Sequence, residues 1–94
     1  MRLSDTGIPE IKDYCGVTDK DSDKILIALR AAAVSFILNQ TGLTEEEAEK
    51  YEDLSAALLV LIYDMYINRT YAVDKSAVNP IVQSILSEHA RNLL

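Results

Sequence analysis

The sequence predicts an all-α fold: a small bundle of three main helices, at about 19–41, 45–68 and 80–92, behind a short N-terminal helix at about 9–15. Three observations predict it. Apolar residues recur at helical spacing in each of these segments. Only three glycines and two prolines punctuate the chain, and they stand where helices begin or end. Strand-like alternation is weak throughout. Ninety-four residues make one domain, 1–94, with a modest core.

The elements follow in order. Pro9 suits the first turn of the short helix, where its missing N–H costs nothing. Ile8, Ile11 and Cys15 share one face, and Gly16 supplies the stop. Thr18 to Ser22 offers several N-caps for the first long helix, and the acids there suit the positive end of its dipole. Ile25, Leu29, Ala32, Ala33, Phe36 and Ile37 form its apolar stripe, and Gly42 ends it. Thr44 then opens a capping box with Glu47. Periodicity does not decide whether 45–68 is one helix or is interrupted near 51–53.

Within that segment Leu54, Leu58, Leu61 and Met65 make one face. Leu59, Tyr63 and Tyr66, with Val60 and Ile67 beyond, make another. A helix apolar nearly all round is buried on more than one side. It is the central helix, or one whose back meets another subunit. Residues 70–78 carry no helical period and read as a loop. Asn79 caps the last helix and Pro80 takes its first position. Ile81, Val82, Ile85 and Leu86 form its ridge, and Ile81, Ile85 and Leu86 are expected to pack on the central helix.

Composition narrows the function. The net charge is −6, spread as −2 over each of residues 1–24, 25–50 and 51–94. With no basic patch, a grip on DNA or RNA through phosphates is disfavoured. The single Cys15 makes no intramolecular disulfide and reads as a small buried apolar residue. The first residues lack the apolar stretch of a secretory leader, and no apolar run reaches the ~20 residues of a membrane span. The expectation is a soluble, intracellular protein with no membrane partner.

Chemistry was sought and not found. Asp19, Asp21 and Asp23 match the first ligand positions of a calcium loop. Lys24 at the glycine position and Arg30 at the final glutamate position then break the match. His89 is the sole histidine, placed near a helix C-terminus, and no second ligand joins it in a metal site. Asn39 and Asn68 head glycosylation-like triplets that read better as helix-end chemistry. Tyr51, Tyr63 and Tyr66 read as core or interface residues with the hydroxyl at the rim. The expectation is no catalytic, metal or cofactor-binding residue, and no enzyme.

One arrangement spans nearly the whole chain. An early "IKDYCGV" precedes an acidic cluster and an Ala/Leu-rich helix ending "FILNQTG". A very apolar helix ending "MYINRT" follows, then a loop, then "NPIVQSIL". This order resembles the head-tail connector family of tailed phages and prophages, often labelled DNA-packaging proteins. Phe36 to Gly42 stands where that family has an aromatic residue before a Thr-Gly turn, with Leu38 and Gln40 where a tyrosine is often found. Tyr66 and Arg69 match the end of its second helix, and Asn79, Pro80, Ser84, Ile85 and Leu86 match its last motif.

The resemblance implies a structural virion protein. Such a subunit forms a homo-oligomeric ring matching the portal's symmetry, a dodecamer in the virion. It attaches below the portal protein after DNA packaging and extends the DNA channel. DNA passes through it without specific binding, and the ring docks the next head-completion, stopper or tail protein. Its place is the head-tail junction, and the host bacterial cytoplasm during assembly. Thr41, Gly42, Tyr66, Arg69, Asn79 and Pro80 carry the family motifs. Leu59, Tyr63, Tyr66 and Ile67 are the candidate subunit interface, expected to be covered only by a second copy. The alternative is a small acidic helical phage or prophage regulatory module that binds one protein partner. That reading requires acids clustered on one face.

Overall fold

A computed structural model describes residues 1–68 and 78–89. A single 3-10 turn, Leu3–Asp5, precedes five α-helices: α1 Ile8–Cys15, α2 Asp23–Thr41, α3 Glu45–Ala48, α4 Asp53–Asn68 and α5 Pro80–His89. The described residues hold no strand. The predicted all-α bundle is what the chain forms. The loop at 70–77, the end of the last helix beyond His89, and the tail from Arg91 lie outside the described residues.

Local chemistry sets the boundaries. Gly16 and Gly42 close α1 and α2 in the left-handed region, at φ 72° and 71°, where a side chain would strain the backbone. Thr44 and Glu47 form the predicted capping box: the Thr44 hydroxyl accepts the Glu47 N–H at 3.2 Å, and the Glu47 carboxylate accepts the Thr44 N–H at 3.0 Å. Asn79 caps α5 by accepting the Ile81 N–H at 2.8 Å, with Pro80 in the first turn.

One boundary differs from the sequence expectation, and a second, left open by periodicity, is decided. The first long helix begins at Asp23, not near 19. Asp19 accepts the Ser22 hydroxyl at 3.1 Å, and this side-chain bond holds 19–22 in a turn that competes with helix. The segment 45–68 is also two helices, broken at 49–52. Ala48 and Leu54 are both fully buried. At about 100° per residue, six residues of unbroken helix would set them about 120° apart. The break lets both reach the same core.

The core sits around α4, which packs against α2, α5, α1 and the 3-10 turn. Leu54, Ala57, Leu58, Leu61, Ile62 and Met65 of α4 are buried. Facing them are Leu26, Leu29, Ala33 and Ile37 of α2, Val82 and Leu86 of α5, and Ile11 of α1. The buried stripe of α2 therefore centres on Leu26, Leu29, Ala33 and Ile37. Ile25 and Phe36, placed in that stripe by spacing, only flank the core. On α5 the expected packing residue Ile81 is 66% exposed, while Val82 takes the inward place. α2 is long and apolar enough to cross a membrane by length and composition alone. Its inner face here is spent on the bundle.

Thr41 ends α2 with its side chain. Its hydroxyl donates to the Ile37 carbonyl at 2.8 Å and accepts the Leu43 N–H at 3.3 Å, in a fully buried position. This turns the chain back toward α3. Replacing Thr41 with Val keeps shape but orphans the buried Leu43 N–H. Thr41→Val is expected to cost about 1–3 kcal/mol, read as a fall in the thermal midpoint at unchanged helix content by circular dichroism.

Candidate functional site

The residues singled out from sequence do not converge on one cavity. Thr41 and Gly42 form the turn between α2 and α3, and Asn79 and Pro80 form the start of α5. These four shape the backbone. Arg69 lies outside the described residues. Tyr66 is half-buried, with its hydroxyl 3.4 Å from Ser22 Oγ, and so ties the end of α4 to the start of α2. The acceptor triplet ending at Thr41 is closed by that residue's burial.

The candidate interface residues divide in two. Leu59 and Tyr66 pack partly against the core. Tyr63 and Ile67 remain 38% and 54% exposed. They belong to a stripe on the outer side of α4, whose members are Ala56, Val60, Tyr63 and Ile67. Ala56 is exposed and Val60 half-buried. Tyr14 of α1 stands edge-on to Tyr63, ring centres 5.9 Å apart and planes at 89°, and widens the patch. Among the described residues the stripe is covered in part, by Tyr14 at Tyr63 and by the core side of Val60, and Ala56, Tyr63 and Ile67 stay exposed. A contiguous apolar face of this kind marks an interaction surface more often than a row of scattered apolar side chains does.

Sequence reasoning missed a polar cluster at the opposite end of α4. His89 Nε2 lies 2.7 Å from Asp53 Oδ2 and 2.8 Å from Oδ1, which fastens the end of α5 to the start of α4. The Tyr51 ring leans on the imidazole, centres 4.4 Å apart. The Asp53 carboxylate also suits the N-terminus of α4. Thirty-six residues separate the pair, so no local pattern could have announced it. Among the described residues no hydroxyl or thiol bonds to His89. The arrangement is a fastener.

Several other acids are engaged as well. Asp23 of the calcium-like run pairs with Lys12 at 2.7 Å. Glu49 accepts both the backbone N–H of Ser4, at 2.8 Å, and its hydroxyl. The Arg2 N–H, donated to Asp5, holds that carboxyl below its ordinary value. Arg30 donates to the carbonyls of Thr6 at 2.7 Å and Leu3 at 2.9 Å, and so pins the N-terminal segment on α2. No group of three His, Cys, Asp or Glu side chains among the described residues could hold a metal. An open depression between Arg2, Glu49, Lys50 and Tyr51 lacks the enclosed apolar walls of a ligand pocket.

No family model, no curated protein and no solved structure matches this chain.

Cys15 is half-buried, and burial pushes its thiol above the ordinary value. A raised folded value means less thiolate at any given pH. Alkylation of the native protein near pH 8 is therefore expected to run slower than alkylation in denaturant. Equal rates in the two conditions would show that the thiol is freely accessible.

Proposed function

We propose that this chain is a structural subunit, a ring-forming head-tail connector that joins a phage portal to the next head-completion or tail protein. The reading assigns it no reaction and no cofactor. The observation that carries it is the largely exposed apolar stripe on the central helix, which is a surface made for another protein. The sequence order of the Thr-Gly turn, the Tyr66–Arg69 helix end and the Asn-Pro helix start supplies the resemblance to that family. In a ring each subunit offers two different surfaces to its neighbours, and the stripe is one of them. An acidic wall suits a channel that must release DNA.

The regulatory alternative needs acids free to meet a partner. Glu45, Glu46, Glu47, Glu49, Glu52 and Asp53 do gather around α3 and the start of α4. Glu47 is used in a cap, Glu49 on Ser4, and Asp53 on His89. The fold consumes much of that charge, which favours the assembly reading.

The test is mass in solution across a concentration series, with and without portal protein. Self-association or capture on portal is expected. Tyr63→Glu and Ile67→Glu, both on exposed positions, are expected to weaken it by about a hundredfold, because an unpaired carboxylate resists burial. Helix content should not change. A strict monomer that also ignores portal, or association indifferent to both variants, would sink the proposal.

A further inference from the structure

The α4 stripe has an internal order that exposure alone does not explain. Ala56, Val60, Tyr63 and Ile67 are spaced by 4, 3 and 4 residues. That is the alternation of d and a positions in the seam between two helices. It keeps the stripe on one edge of α4 for about 16 Å.

The sizes along the stripe are also ordered. Laid against a reversed copy of itself, the stripe matches small to large. Ala56 meets Ile67 of the partner subunit, and Val60 meets Tyr63 of the partner subunit. The same two layers then repeat across a two-fold axis. Alternating sizes across facing positions is what fills such a seam without voids. Parallel pairing fails this match, since Ala56 would face Ala56 and Tyr63 would face Tyr63.

Charge favours the same direction. Glu45, Glu46, Glu49, Glu52 and Asp53 lie at one end of the bundle and outnumber the cations there, Arg2, Lys50 and the Met1 amine that pairs with Glu52 at 3.3 Å. Parallel packing would stack those ends on each other, whereas reversal separates them. Reversal also sets the two α4 dipoles head to tail. The stripe itself carries no charge, and Asp64, half-buried beside it, is the one charged residue of α4 after Asp53.

We propose that the stripe's occupant in the free protein is a second copy of this chain, bound α4 to α4, antiparallel, about a two-fold axis between Val60 and Tyr63. This rests on the reading of the stripe as the assembly surface and names its partner outside the ring. Pair and ring use the same residues, so the pair gives way when subunits join the ring. The pair is a closed, isologous contact that cannot itself grow into a chain.

Cross-linking tests the geometry. In a Cys15→Ser background, chains carrying Val60→Cys are mixed with chains carrying Tyr63→Cys and oxidised. A disulfide needs Cβ atoms roughly 3.5–4.5 Å apart, so the mixed product is expected to outnumber both self-linked products. A size swap tests the packing. Small-to-large crowding in Ala56→Ile alone is expected to weaken the dimer about tenfold, and adding Ile67→Ala is expected to restore it. Self-linked products equal to the mixed one, or a double variant no tighter than the single, overturns the antiparallel pairing while the assembly surface stands. Association unaffected by Tyr63→Glu overturns both. A monomer at every concentration up to about millimolar overturns the pair.

Discussion

The structure depends on one constraint: α4 is apolar on almost every side. From Leu54 to Asn68 its single charged residue is Asp64. Such a helix cannot stand at the edge of a small bundle with half its surface in water. The other elements are arranged to cover it. α2 and α5 lie along it, and α1 with the 3-10 turn closes part of another side. The break at 49–52 is part of the same arrangement, because it lets α3 tuck Ala48 beneath while α4 takes its own course.

A core of this size leaves little stability to spare, and the polar contacts are placed where elements would otherwise come loose. Arg30 holds the N-terminal segment by the carbonyls of Thr6 and Leu3, the latter shared with the Thr6 N–H. Thr41 satisfies a buried N–H at the α2 turn. His89 and Asp53 fasten α5, whose buried side chains are Val82 and Leu86 alone. Exposed ion pairs contribute only about 0–1 kcal/mol each. The value of these contacts lies in fixing geometry, and in leaving no buried side-chain polar atom without a partner among the described residues.

Much of this was legible in the sequence because caps and stops are local chemistry. Thr44 with Glu47, Asn79 with Pro80, and the two left-handed glycines are each decided within about four residues. The break after Ala48 was not legible, since both halves of 45–68 keep good helical composition and only the shared core demands the turn. The rotation of α2 was misjudged for a related reason. Ile25 and Leu26 are adjacent and equally apolar, and only the positions of α4 and α5 decide which one points inward. Ile81 and Val82 pose the same choice. Of the candidate interface residues, Tyr63 and Ile67 are exposed, whereas Leu59 and Tyr66 are drawn into contacts with the core and with Ser22.

The stripe itself is the residue of that accounting. Leu54, Leu58, Leu61, Ile62 and Met65 complete the core without help from Ala56, Tyr63 or Ile67. Folding therefore sets no requirement that these outer positions be apolar, and lysine, glutamate or glutamine there would serve an isolated helix as well or better. A single exposed apolar side chain needs no explanation in a small protein. Three exposed ones with the half-buried Val60 between them, at seam spacing and with sizes that a reversed copy would match, are different. Their cost in exposed apolar surface is borne by the monomer, and a partner helix on that face would recover it.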